Sequence, residues 1–328
     1  MMQFDFIHIK NDKDFAEYAL YLFKYQYDNI EVYRKYVDLL SIKPQNVKSI
    51  KDIPFLPISF FKYHKILAYN QKEKVIFKSS GTTLSTRSKH FVANINLYEK
   101  SFITGFNHFF GDFKSYCFLA LLPSYLEQGN SSLVYMINYF IKHSNCKESN
   151  FYLYDFEKLK LNIQQLVKEG RKVILFGVSY ALLDFAEYAK FDKMPDNFMV
   201  FETGGMKGRR KELPKSELHK LLKKGLGVDQ IFSEYGMTEL LSQAYSFGNN
   251  LYQTVPWMKI LIRDRYDPFE YLSYKRTGGI NIIDLANKYS CAFIETEDLG
   301  KLYPNNKFEI LGRFDTADIR GCNLMIGE

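Results

Sequence analysis

The chain has 328 residues, 46% hydrophobic and 17% aromatic, and its 44 Lys and Arg against 37 Asp and Glu give a formal net charge of +7. That length and apolar content suit one large domain or two ordinary ones and exclude a disordered chain. The modest positive excess, spread over scattered lysines, reads as a solvated surface and not as a nucleic-acid patch.

The first residues lack a basic segment followed by an apolar one, so no signal peptide is expected. No apolar run approaches the roughly 20 residues of a membrane helix. Residues 12–40 have apolar side chains at three- and four-residue spacing, which predicts a helix. Pro54 and Pro57 then break helix and favour an extended path over residues 53–66. From Lys74 to Leu241 short apolar runs (KVIFKSS, SYCFLALLP, FYLYDF, RKVILFGV, NFMVFETGG, QIFSEYG) alternate with amphipathic stretches. The latter are NLYEKSFITGFNHFF, SSLVYMINYFIKH, EKLKLNIQQLVKEG, YALLDFAEYAK and KSELHKLLKKG. Such alternation predicts an α/β domain, parallel strands covered by helices. After Trp257 the pattern becomes strands and turns (WMKILIRD, GGINIIDL, AFIETEDLG, KFEILGRFD), a small β-rich subdomain. The expected divisions are a helical and Pro-punctuated segment at 1–70, an α/β nucleotide-binding core at 71–250 and the β-rich subdomain at 251–328.

Cys117, Cys146, Cys291 and Cys322 form no CxxC pair and show no metal-ligand spacing. Cys117 and Cys291 sit in apolar runs and read as core. This usage suggests a reducing, cytoplasmic setting.

Four constellations carry chemistry. Lys78, Ser79, Ser80, Gly81, Thr82 and Thr83 follow a predicted strand, where hydroxyls and backbone N–H groups can meet phosphate oxygens. The run lacks the common P-loop spacing and could equally be a polar turn. In the segment FETGGMKGRR, Gly204 and Gly205 let a flat ligand approach the backbone, or mark a plain strand–helix loop. In SEYGMTE, Tyr235 beside Gly236 can stack on a purine, Met237 follows, Thr238 can bond a phosphate and Glu239 can hold Mg²⁺. The bland alternative is a strand end and helix start capped by Thr238 and Glu239. Asp298 on an expected turn can accept both ribose hydroxyls, and Arg313 in GRFD can meet ribose or phosphate.

The order of these segments is that of the adenylate-forming superfamily. Together with ETGGMKGRR, SEYGMTELLSQAYS, INIIDLA, EDLG and ILGRFDTADIRGCNLM, SSGTT makes the chain resemble the acyl-protein synthetase family. That family is the fatty-acid-activating component of the bacterial luciferase fatty acid reductase complex; the phenylacetate–CoA ligases are more distant relatives. The resemblance runs from IPFLPISFFKYHKI to the last residues. It implies a large adenylate-forming-type domain that uses ATP and Mg²⁺ to turn a carboxylic acid, a fatty acid by resemblance, into an acyl-adenylate.

Carried over residue by residue, Ser79, Ser80, Gly81, Thr82 and Thr83 would clasp the β- and γ-phosphates. Gly204 and Gly205 would border adenine, with Tyr235 near it. Thr238 would meet the α-phosphate, Glu239 the metal and Asp298 the ribose, with Arg313 close to ribose or the reacting phosphate. No general base is required, because the acid is already ionised at neutral pH. His64 and His90 are the histidines nearest the predicted site, and His64, which follows aromatic residues, reads as a packed or positioning residue. In the resembled family an enzyme cysteine near the C-terminus takes the acyl group as a thioester before a reductase partner does; Cys322, beside Arg320, stands in such a place. A small buried residue is the alternative for Cys322.

The sequence stops 13 residues after Asp315, where larger relatives carry a mobile C-terminal domain with a catalytic Lys. A partner, or Lys207, Arg209 or Arg210, is therefore weighed as a substitute; the alternative for these three is solvated charges. Gly177, Val178, Ser179, Tyr180, Leu182 and Leu183 line an acyl pocket or belong to the core. The final acceptor is a reductase, a carrier protein or CoA, and two other functions stay open: an acyl-CoA ligase of the phenylacetate–CoA ligase type, and a non-catalytic acyl- or nucleotide-binding scaffold subunit.

Overall fold

The computed structural model describes residues 5–79, 86–123, 130–204, 210 and 213–314. Two compact units result: residues 73–255 form one, and residues 1–72 join residues 256–328 in the other.

The Asn11 side chain accepts from Asp14 N–H and opens α1 (Asp12–Asn29), whose buried face is Phe15, Tyr18, Ala19, Leu22, Phe23 and Gln26. The continuous helix expected to residue 40 is in fact two. Ile30 adopts an extended conformation after α1 and precedes α2 (Glu31–Leu39), while the Asn29 amide donates to the Tyr25 carbonyl. The Pro-punctuated stretch yields a short strand, β1 (Leu56–Pro57), and one helical turn, α3 (Phe60–Tyr63).

The hairpin β2 (Val75–Lys78) and β3 (Lys89–Val92) begins the 73–255 unit. Next come α4 (Ile95–Phe110), β4 (Tyr116–Leu121), α5 (Ser132–His143), β5 (Asn150–Phe151) and α6 (Phe156–Lys168). The series continues with β6 (Lys172–Val178), α7 (Ser179–Ala189), β7 (Phe198–Thr203), α8 (Lys215–Leu226) and β8 (Ile231–Tyr235). Two antiparallel strands, β9 (Ala244–Phe247) and β10 (Tyr252–Thr254), complete it. The sheet runs β10-β9-β8-β7-β6-β4-β5, with β4 to β8 parallel. Strands β4 and β6 are nearly uninterrupted buried apolar runs, as parallel strands packed on both faces should be. The aromatic residues fill this core: Phe201 stacks on Phe232 at 5.0 Å, and Phe118 on Phe140 at 5.0 Å. Val178, Tyr180, Leu182 and Leu183 are buried in the same interior.

In the other unit β11 (Met258–Arg263), β12 (Gly278–Asp284), β13 (Phe293–Tyr303) and β14 (Lys307–Arg313) form an antiparallel sheet, and β1 lies parallel to β13. Gln26 of α1 is fully buried: its amide donates to the Asn287 and Lys288 carbonyls, and its oxygen accepts from Ala292 N–H. Trp257 packs edge-on to Phe6 at 5.3 Å. No described helix is long and apolar enough to cross a membrane.

Candidate active site

Three of the sequence-predicted loops leave strand ends of the 73–255 unit. Ser79 directly follows β2, the Gly204 loop follows β7, and the Tyr235–Glu239 stretch spans the end of β8. The last two emerge from the carboxyl edge of parallel strands, where open α/β sheets place their ligands. Residues 236–240 form a turn, not the helix start weighed above; the next element is β9. Gly236 is exposed, Met237 and Thr238 are half-buried, and Tyr235 and Glu239 are buried. The Tyr235 ring meets that of Tyr252 edge-on at 5.9 Å.

Two side chains join the described strand ends and the Thr238 turn. His90 on β3 is fully buried, and its Nδ1 donates to the Thr238 carbonyl at 2.8 Å. Phe77 pairs with His90 across the β2–β3 hairpin, so the hairpin that carries Ser79 is tied to the Thr238 turn. The Ser79 hydroxyl accepts from Ser88 N–H and closes that hairpin. Thr203, the last residue of β7, donates its hydroxyl to Glu234 Oε2 at 2.5 Å. Behind the turn, the Ser101 hydroxyl of α4 meets that of Ser242 at 3.0 Å.

Two buried carboxyls stand at these strand ends. On β7, Glu202 Oε1 accepts from the Ser179 hydroxyl at 2.9 Å, and its Oε2 lies 3.3 Å from Lys215 Nζ and 3.7 Å from His219 Nε2. Burial opposes its ionisation; His219, Lys215 and Ser179 outweigh that cost and hold its pKa at about 2. At 3.7 Å the imidazole is beyond hydrogen-bonding reach, so Lys215 is the nearer charge. Glu234 is the opposite case. Burial, reinforced by the charge of Glu202, raises its pKa to about 7 against the lowering effects of Thr203 and Lys215.

In the other unit Asp298 and Arg313 sit opposite each other across β13 and β14, with Nε 3.5 Å from Oδ1. The expected turn at residues 296–300 is instead the middle of β13, where the register shifts between Leu299 and Gly300. Arg263, not singled out from the sequence, underlies this place. It donates to the Ile280 and Thr296 carbonyls and to Asn281 Oδ1, at 3.1, 2.8 and 2.8 Å. A Cβ at Gly279 would lie 2.4 Å from the Arg263 Cζ, so a side chain there would push the guanidinium off these bonds.

Ser80, Gly81, Thr82, Thr83, Gly205, Lys207, Arg209 and Cys322 lie outside the described residues. Arg210 is not a free charge beside the Gly204 loop: it forks between Asp184 and Glu187 of α7, at 2.9 Å from Nε to Asp184 and 2.7 Å from Nη1 to Glu187. His64 is exposed and tilts over Phe60 at 5.3 Å. Cys117 is core as read, but it is bonded to Cys146, which counts against inferring a reducing compartment from the cysteines. Cys291 is buried; burial pushes its thiol up to about 12, although the Phe293 backbone contact lowers it. A surface cleft of about 640 Å³ beside α8 is lined by His219, Lys220, Lys223, Lys224, Asp229 and Asn250 among others, and includes none of the sequence-predicted site residues. The sequence reading assigned no role to Thr203, Glu234, Glu202 or Lys215. The available signal was acidic residues at interior positions of apolar strands.

This fold is that of the adenylate-forming enzymes. An open conformation of 2-hydroxyisobutyryl-CoA ligase, in complex with 2-HIB-AMP and CoA, superposes with a TM-score of 0.65 at 11% identity, over 93% of this chain and 70% of that one. ATP-bound MatB from Rhodopseudomonas palustris gives a TM-score of 0.53 at 17% identity, over 73% of this chain and 47% of that one, so the match spans about half of MatB. The chain belongs to the acyl-protein synthetase family LuxE, whose sequence profile matches residues 3–328. It is 21% identical over 325 residues to the long-chain-fatty-acid–luciferin-component ligase of Aliivibrio fischeri, covering 92% of this chain and 85% of the relative.

Proposed function

We propose that this protein activates a long-chain fatty acid with ATP and passes the acyl group to a thiol. The observation that carries the reading is the joining of β3 to the Thr238 turn and of the β7 end to β8 in the 73–255 unit, through His90–Thr238 and Thr203–Glu234, in a chain of this family. The acid's carboxylate oxygen attacks the α-phosphorus of ATP and pyrophosphate leaves. A thiolate sulfur then attacks the acyl carbonyl carbon and AMP leaves.

Ser79, Ser80, Gly81, Thr82 and Thr83 hold the outer phosphates in this proposal, Thr238 the α-phosphate, and Gly204, Gly205, Tyr235, Gly236 and Met237 the adenine. Asp298 binds the ribose hydroxyls and Arg313 neutralises charge near the reacting phosphate. Mg²⁺ would be held at Glu239, where it offsets the phosphate charge that repels an incoming carboxylate. A single buried carboxylate suits this ion, which takes its other oxygens from phosphates and water. Among the described residues no cluster of three or more His, Cys, Asp or Glu forms a protein cage for a metal.

Cys322 is the proposed acyl acceptor. Cys117 and Cys146 are bonded to each other, and Cys291 is buried with a raised pKa, which leaves one cysteine for nucleophilic work. A reductase, a carrier protein or CoA would take the acyl group next. The need for ATP supports a cytoplasmic setting.

The test is fatty-acid-dependent ATP–pyrophosphate exchange. Thr238→Ala and Glu239→Ala should lower it at least about a hundredfold. Cys322→Ser should leave exchange intact while abolishing the hydroxylamine-sensitive acyl label. Acyl-CoA formation at full yield in Cys322→Ser would assign CoA as the direct acceptor. Undiminished exchange in Glu239→Ala would remove the metal assignment.

A further inference from the structure

Glu234 occupies an unusual place for a carboxyl. It sits on a central strand, is 7% exposed, and immediately precedes the Tyr235 turn. Alternation along β8 sends Ser233 and Tyr235 to one face and Glu234 to the other. On its own face Glu234 pairs in register with Tyr245 of β9. Its Oε2 takes the Thr203 hydroxyl hydrogen bond at 2.5 Å. Its Oε1 lies 2.5 Å from where a Cβ on Gly236 would stand, so any side chain at residue 236 would push this carboxyl aside. One carboxyl thus bonds the residue before Gly204 and fills the space a side chain at Gly236 would take. On the other face Ser179 can donate to either Glu202 Oε1 or the Gly204 carbonyl, at 2.9 and 3.2 Å.

We propose that Glu234 is a positioning residue: its carboxyl fastens the end of β7 to the start of the Tyr235–Gly236 turn and so sets the affinity for nucleotide at these strand ends. This rests on the adenylation reading above. Glu234 does not need to touch nucleotide; it fixes the distance between two backbone segments that must accept a flat ring between them. The groups that act on it are Tyr98 of α4, Tyr245 of β9, Glu202 of β7 and Lys215 of α8, beside the hydroxyl of Thr203. Glu239 lies further along the same turn, and His90 of β3 meets the Thr238 carbonyl of that turn. The carboxyl loses its proton near neutrality. Below that point it is a neutral hydrogen-bonding clamp; above it, a second buried anion joins Glu202 beside the segments that border the anionic nucleotide. Nucleotide affinity therefore falls as pH rises from about 6 to about 8 by more than the titration of ATP alone dictates.

The experiment measures ATP dissociation constants by calorimetry and KM for ATP by exchange, at about pH 6 and about pH 8. The proteins are the wild type, Glu234→Gln, Thr203→Val and Thr203→Ser. Glu234→Gln keeps a side chain able to bond Thr203, so its ATP affinity at about pH 6 stays within about threefold of the wild type and the additional pH dependence disappears. Thr203→Val loses the clamp and raises KM and Kd about tenfold, with kcat lowered less than about threefold. Thr203→Ser restores the hydroxyl and returns both to within about twofold, which separates the clamp from a packing effect. Unchanged affinity in Thr203→Val, or an unaltered pH profile in Glu234→Gln, in proteins that bind ATP, overturns the role of Glu234 alone. A wild type that neither binds ATP nor exchanges overturns the adenylation reading and this role with it.

Discussion

Lys215→Met removes the ammonium 3.3 Å from Glu202 Oε2 and leaves most of the apolar stem in place. Glu202 is 3% exposed, so the carboxylate left behind cannot recover its solvation. In the native protein its pKa lies at about 2 against an ordinary 4.5; that gap corresponds to about 3 kcal/mol. Because the folded value is depressed, the contribution is complete above the unfolded value and disappears as pH falls toward the folded one. Ser179 and His219 remain in the variant and soften the loss, whereas the uncompensated buried charge adds to it. The expected cost at neutral pH is about 3 kcal/mol, read as a reduced urea midpoint with an unchanged slope. The penalty should shrink below about pH 4, as the wild type loses its own gain. Adding Glu202→Gln should recover about 2 kcal/mol of it, since a neutral amide needs no counter-charge. Equal destabilisation of the single and double variants would refute the reasoning, because the loss would then belong to the contact of Lys215 with Tyr252.

Gln26→Leu leaves the Asn287 carbonyl and Ala292 N–H without their buried partner and should cost about 2–4 kcal/mol, measured by denaturant unfolding. Cys117→Ser opens a crosslink of sequence separation 29 and should lower stability by about 3–4 kcal/mol against the oxidised protein. It should match the wild type in reductant, a comparison that also reports whether the bond is formed in the purified protein. Arg210→Ala breaks partly exposed ion pairs to Asp184 and Glu187. It should cost less than about 1 kcal/mol and leave ATP–pyrophosphate exchange within about threefold; a collapse of exchange would restore Arg210 as a catalytic candidate.

The parallel strands were legible because burial on both faces turns them into uninterrupted apolar runs such as those of β4 and β6. The helix break at Ile30 was not, since neither glycine nor proline marks it and the buried Ile30 side chain fits either path. Residues 296–300 suggested a turn by their acids and glycine. They lie in β13 because Thr296 and Asp298 face inward at alternate positions and Gly300 falls at the register shift. The short strands β3, β9 and β10 mix polar and aromatic residues and give little periodic signal. The loops of the site announced themselves through glycines and hydroxyls. Their fasteners did not: His90 meets the Thr238 carbonyl across a separation of 148 residues, and Thr203 meets Glu234 across 31. Such pairs become visible only when adjacent strand ends bring them together.

Intact-protein mass spectrometry after incubation of the full chain with ATP, Mg²⁺ and a long-chain fatty acid tests the central claim most directly. The account predicts a mass increase equal to one acyl group, released by hydroxylamine, mapped to Cys322 and absent without ATP. An unmodified mass, with no acid-dependent release of pyrophosphate, would contradict it.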